Sequence, residues 1–263
     1  MADDRQGREG RRRPRSASGS WSGPGRARPV QPRSAEQDGH VDRPGAPPIP
    51  PGVEARQLAP EIRRELSTLD RATADAVARH LVAAGELIDE DPEAALSHAR
   101  AARARSSRIA AVREAVGIAA YHCGDWAQAL AELRAARRMG SKSPLLALIA
   151  DCERGLGRPE RAIELARGEE AAQLSGDDAD ELRIVAAGAR ADLGQLEQAL
   201  TLLSTPQLDP GRTGSTPARL FYAYADTLLA LGRNDEALQW FLRSAAADVD
   251  GVTDAEERVS ELA

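Results

Sequence analysis

The chain has 263 residues, with 41 acids against 35 Lys and Arg, and its formal net charge of −6 excludes a globally basic nucleic-acid binder. Aromatics are only 3%, so Ala and Leu must build the core. The two cysteines, Cys123 and Cys152, are too few for a disulfide scaffold or a multi-Cys zinc module. No apolar run is long enough to span a bilayer and the N-terminal stretch has no apolar segment, so no spanning helix or secretory signal is expected and the expected location is cytoplasmic.

Residues 1–55 hold 9 of the 16 Pro and 8 of the 22 Gly, and their large aliphatics are limited to Val30, Val41, Ile49 and Val53. Such a stretch buries too little apolar surface to offset the entropy of ordering it, so a disordered tail over 1–55 is expected. Its charge is uneven. Residues 1–33 carry net +6, 34–55 carry −3, and the rest of the chain carries −9. The basic arm, with Arg11, Arg12, Arg13, Arg15, Arg26 and Arg28 around Trp21, fits either a solvated tail or a contact with RNA.

From residue 56 the texture changes to Ala, Leu, Glu and Arg, all strong helix formers, and strand formers are sparse. A leading helix is expected at about 59–69. Paired helices follow at about 72–88 with 92–105, 108–122 with 126–139, 143–155 with 159–168, 178–193 with 196–205, and 216–231 with 234–247. A last helix, with Thr253 as N-cap, spans about 253–262.

The pairs repeat a pattern. Gly124, Gly157, Gly194 and Gly232 are each followed five residues later by an alanine: Ala129, Ala162, Ala199 and Ala237. Glu90 and Ala95 give a weaker fifth copy. Successive alanines are 34, 33, 37 and 38 residues apart, a period of stacked helix pairs. A small residue also stands seven positions before each turn: Ala83, Gly117, Ala150, Ala187 and Ala225. Glycine ends the first helix at little steric cost, and small residues on both facing surfaces let the axes approach.

These positions resemble the tetratricopeptide repeat (TPR). The copy with Gly117, Gly124, Trp126, Ala129 and Ala136 carries the motif most fully, and that with Ala225, Gly232, Ala237 and Phe241 supplies the second-helix aromatic. Departures occur at Glu169, Pro206 and Ser244, and extra residues are expected near 175–178 and 210–217. More narrowly, the stretches RHLVAAGELIDEDPE and ADCERGLGRPERA resemble an actinobacterial TPR type with an Arg/Gly/Pro-rich N-terminal tail. The resemblance implies an all-α, right-handed α-solenoid of about five helix pairs over 72–250 with flanking capping helices, and a partner bound in the concave groove lined by first helices.

Projected onto this chain, that groove would hold His80, Glu114, Ile118, Tyr121, His122, Asp151, Arg154, Glu181, Ile184, Arg219, Tyr222 and Asp226. Tyr121 and Tyr222 are the expected anchors. Glu114, Asp151, Glu181 and Asp226 stand where one TPR subclass uses Lys and Asn to clamp a C-terminal carboxylate, which disfavours that ligand. They point instead to a basic or mixed peptide, the chain's own arm included. The Arg100, Arg103, Arg105 and Arg108 run reads as a solvated face, and Asp89, Glu90 and Asp91 as acids favoured ahead of a helix. No catalytic, metal or cofactor motif is found, so the expected function is a non-enzymatic adaptor or scaffold for a protein or peptide, without a cofactor. The alternative is nucleic-acid or ribosome association through the arm.

Overall fold

A computed structural model of the chain describes residues 45–204 and 208–263. Among the described residues it is all-helical. A short 3-10 turn, Ala55–Gln57, precedes α1 (Pro60–Leu66). Five antiparallel pairs follow: α2 (Arg71–Leu87) with α3 (Pro92–Arg105), α4 (Ala110–His122) with α5 (Trp126–Arg138), α6 (Leu146–Gly155) with α7 (Pro159–Ala166), α8 (Gly176–Asp192) with α9 (Leu196–Ser204), and α10 (Ser215–Ala230) with α11 (Asn234–Ala247). α12 (Ala255–Leu262) closes the stack. Residues 176–178 and 215–217, expected in loops, instead open α8 and α10, and the connection before α8, 167–175, holds the 3-10 turn Ala171–Gln173.

Each turn is built as its sequence demands. Gly124, Gly157, Gly194 and Gly232 adopt φ between 71° and 75°, where a Cβ is strained. The next residue then donates its N–H five positions back, as from Asp125 to Ala120 and from Arg233 to Leu228. This closes the first helix and starts the second. The first pair lacks the glycine. There Asp91 accepts a hydrogen bond from the Ala94 N–H, and Pro92 opens α3. Thr253 is not the cap of α12. That position is Asp254, and the Thr253 hydroxyl and N–H both donate to Asp248.

The small residues sit at the crossings. Ala95, Ala129, Ala162, Ala199 and Ala237 are fully buried, as are Ala83, Ala150 and Ala225 opposite them. At Gly117 a Cβ would lie 2.7 Å from Leu133 Cγ and Cδ2 and 3.1 Å from the Leu133 N, so α4 and α5 touch there backbone to side chain. Ser244 replaces an alanine, and its buried hydroxyl donates to the Ala218 carbonyl.

Second helices pack on the first helix of the next pair. First helices pack on one another, α2 on α4, α6 on α8 and α8 on α10. A stack whose first helices meet while its second helices stand apart curves with the first helices inside. Between α4 and α6 the inner layer is bridged by side chains, Tyr121 to Asp151, and by Trp126 of α5 lying against Gly155.

The body begins earlier than residue 56. Val53 and Leu58 are buried and Ile49 is partly buried in a cluster with Leu66, Val77 and Leu81, so the last part of the expected tail caps the first pair. A few apolar side chains seated on an existing face suffice to order a segment that could not order alone. The remainder of the tail, 1–44, lies outside the described residues. At the other end Val259 and Leu262 dock against the cluster of Ala237 and Phe241.

Three buried carboxylates are each gripped by two arginines, at least one of them from a neighbouring element. Glu132 takes Arg103 and Arg113, Glu153 takes Arg134 and Arg158, and Asp180 takes Arg183 and Arg212. The Arg103 side chain is therefore a tie between α3 and α5 and not part of a solvated face.

Two substitutions test this packing. Gly117→Ala raises helix propensity but drives a methyl into Leu133, and the clash wins. A net loss of about 1–2 kcal/mol in urea unfolding is expected. Glu132→Gln leaves two guanidinium groups without their shared anion. Because both arginines keep partial exposure, the expected loss is about 2–3 kcal/mol, at or below the low end for a broken buried pair.

Candidate functional site

The inner face is made by the sides of α4, α6, α8 and α10. Its centre is a nest of aromatic rings. Tyr121 stands edge-on to Trp126 with centroids 5.2 Å apart, and to His122 at 5.9 Å. All three are half-buried. The turn glycine, Gly124, brings the end of α4 and the first turn of α5 together and so gathers these rings. Ile118 is half-buried one turn earlier on the same side of α4.

From the nest a chain of polar contacts crosses two helices. The Tyr121 hydroxyl donates to Asp151, Arg154 Nη1 donates to the same carboxylate at 2.7 Å, and Arg154 Nε and Nη2 grip Asp192 of α8 at 2.8 and 3.2 Å. The guanidinium lies flat on α8 at Gly188, where a Cβ would come within 2.8 Å of its Cζ. Burial works against the Arg154 charge, but Asp192 and Asp151 outweigh it and hold its pKa above the ordinary value. Burial, then the Asp151 charge, pushes the Tyr121 phenol well up, so it stays a donor. Burial lowers the His122 pKa, with Asp89 opposing.

The distal half is built the same way. Arg219 of α10 pairs with Glu181 of α8, and Arg258 of α12 reaches Asp226 of α10 at 3.3 Å. Tyr222 packs edge-on to Phe241, and its pKa is raised by burial first and then by Asp254.

The expected residues therefore divide. Tyr121, His122, Asp151 and Arg154 converge on one site, while Arg219 with Glu181 and Tyr222 with Asp226 form a second patch. Glu114 belongs to neither: it accepts from the Ser141 and Ser143 hydroxyls and anchors the α5–α6 connection. His80 is not available to the groove. It is buried inside the first pair with its Nδ1 3.0 Å from Nδ1 of His98, so one ring carries a proton there and the other does not. Ile184 is likewise buried, in the core with Leu203 and Leu220. Periodicity placed both on the inner side but could not tell which way each helix rolls.

The groove is also not an open acidic surface. Each of its four expected acids already holds a donor: two serines on Glu114, Tyr121 and Arg154 on Asp151, Arg219 on Glu181, and Arg258 on Asp226. Arg154 serves two carboxylates and the serines carry no charge, so the face keeps a small acidic excess although each of these acids is engaged. Sequence reasoning missed Asp192 and Gly188. A partial signal existed, since Gly188 stands six residues before Gly194 as Asp151 stands six before Gly157, whereas Asp192 has Gly155 and not Arg154 as its counterpart. Burial raises both thiol pKa values, Cys152 to about 12, and the half-buried Cys123 donates to the Pro92 carbonyl. Among the described residues no helix is long and apolar enough to cross a membrane. The basic arm lies outside the described residues.

The His122 shift has a sign that can be checked. Its folded pKa is below the ordinary 6.5, so the unfolded chain takes up the proton first. Its contribution to stability is full above 6.5 and is lost as pH falls through 6.5 toward the folded value. Urea midpoints should drop from about pH 7.5 to about pH 5.5, and His122→Asn should show a shallower drop than the native chain.

No family model and no curated protein matches the chain. Among solved structures it is similar to YrrB, a TPR protein with an unusual peptide-binding site, at 20% identity and a TM-score of 0.44, over 75% of this chain and 97% of that one.

Proposed function

We propose that the chain is a non-enzymatic adaptor of the TPR kind that takes a peptide or helical segment of a partner protein along its inner face. The observation that carries this reading is the aromatic nest of Tyr121, His122 and Trp126. It is half-buried and held rigid by the Asp151–Arg154–Asp192 chain on the concave side of a repeat stack. Rigid aromatic surface that loses little entropy on contact is where binding energy concentrates. Because the neighbouring carboxylates already hold Tyr121 and Arg154 as donors, the nest offers a partner mainly ring surface, which suits an apolar or aromatic side chain.

Selecting peptides from a random display library against the full-length chain tests this. Winners should carry an aromatic or large aliphatic anchor. Tyr121→Ala should weaken them about 30-fold, the effect of a hot spot worth about 2 kcal/mol, with helical content retained. Tyr121→Phe keeps the ring and should bind within a few-fold of the native chain. Peptides indifferent to Tyr121→Ala, or a failure to select any, would overturn the proposal.

A further inference from the structure

The ties between successive helix pairs change sides along the chain. In the N-terminal half the arginine ties between like helices run along the second helices, and the inner link from Tyr121 to Asp151 is a hydrogen bond from a neutral phenol and not an ion pair. Arg100 of α3 grips Gln128 of α5 with two hydrogen bonds of 3.2 and 2.7 Å, Arg103 of α3 pairs with Glu132 of α5, and Arg137 of α5 pairs with Glu170 beyond α7 at 2.9 Å. In the C-terminal half they run along the first helices. Arg154 of α6 holds Asp192 of α8 at 2.8 Å. Arg219 of α10 holds Glu181 of α8, and Arg212, just before α10, holds Asp177 and Asp180 of α8 at 2.9 and 2.6 Å. Arg258 of α12 holds Asp226 of α10 at 3.3 Å. The α8–α10 pair is thus fastened at Glu181, Asp177 and Asp180.

The two arrangements differ mechanically. In a curved stack, opening spreads the inner layer and closing spreads the outer one. A tie on the inner side therefore resists opening, and a tie on the outer side resists closing. Exposed pairs stand on both sides: Arg219 and Glu181 are 44% and 27% exposed on the inner side, and Arg137 and Glu170 are 41% and 46% exposed on the outer side, where screening frees closing and not opening.

We propose that the run of arginine–carboxylate pairs joining α6, α8, α10 and α12 is an electrostatic latch that sets the width of the C-terminal half of the groove and opens it under ionic competition, while the N-terminal half stays fixed. Opening needs no loss of helix. The buried apolar clusters shared by neighbouring pairs, such as Leu203 of α9 with Leu220 and Ala223 of α10, stay in contact and serve as the hinge on which the pairs rotate. The latch does not depend on the nature of the ligand, or on there being one.

The test is a pair of distances in the full-length chain, measured by double electron–electron resonance. In a Cys123→Ser background, with the native Cys152 buried beyond reach of the label, spin labels go on exposed positions Ala72→Cys with Lys142→Cys for the N-terminal half, and Lys142→Cys with Ala246→Cys for the C-terminal half. Raising salt to about 1 M, where the screening length is about 3 Å, should lengthen the C-terminal distance by several ångströms and leave the N-terminal one unchanged. Glu181→Arg, which sets like charges against Arg219, should lengthen it at low salt. The double swap Glu181→Arg with Arg219→Glu should restore it. The inference fails if the C-terminal distance is constant in salt and in Glu181→Arg with helical circular dichroism intact, if both halves lengthen together, or if the swap does not restore the native value. Should Glu181→Arg prevent folding, the salt series on the native pair decides.

Discussion

The structure depends on how closely two helices of a pair can approach. With so few aromatics, the chain cannot fill a wide gap between helices, and it places Ala or Gly on both sides of each crossing instead. At Gly117 the approach is limited by the Leu133 side chain itself. Axes this close leave little volume between them, so most of a pair's apolar surface, such as Leu130, Ile149 and Leu145, faces the next pair and not its own partner. Stacking follows from that surplus. So do the two ends, where residues 49–58 and α12 cover surface that no further pair covers.

This is why the fold was legible and much of the site was not. A positive φ at Gly124 or Gly232 and a fully buried Ala129 or Ala237 are requirements on single residues, and each leaves a mark at a fixed offset. The groove is a relation between residues of different pairs. Asp192 matters because Arg154, on another first helix, crosses to it, and Gly188 matters because that guanidinium needs its missing Cβ. His80 shows the converse. Its spacing is right for the inner face, but His98 lies opposite and the pair is swallowed by the interface between α2 and α3. Helix roll, set by packing on both neighbours, decided these cases, and roll leaves no mark in the period.

Charge was misleading for a related reason. Counting residues on one face gives Glu114, Asp151, Glu181 and Asp226 and an acidic groove, because the count stops at the helix on which each acid sits. The groups that engage them come from elsewhere: the Ser141 and Ser143 hydroxyls from a connection, Arg219 from the next first helix, Arg258 from the closing helix. The net charge of a face in a repeat protein is a property of adjacent repeats together. Here arginines pair Glu181 and Asp226, while Glu114 and one of the two carboxylates that share Arg154 leave a small acidic excess.

On the proposed reading, an inner face whose acids are already engaged shifts the burden of recognition from attraction at a distance to contact. Long-range charge steers a partner and raises its rate of encounter, but it is blunt about shape. With Arg154 spent on two carboxylates and Tyr121 spent on one, what remains to distinguish partners is ring surface, the space above Gly188, and the spacing of α6, α8 and α10. The first two are fixed by covalent identity. The third is set by the same arginines that engage the acids, so occupying the acids and holding the groove's width are one structural act. A substitution that exposes an acid on this face also frees a helix to move, and charge and shape cannot be tuned there separately.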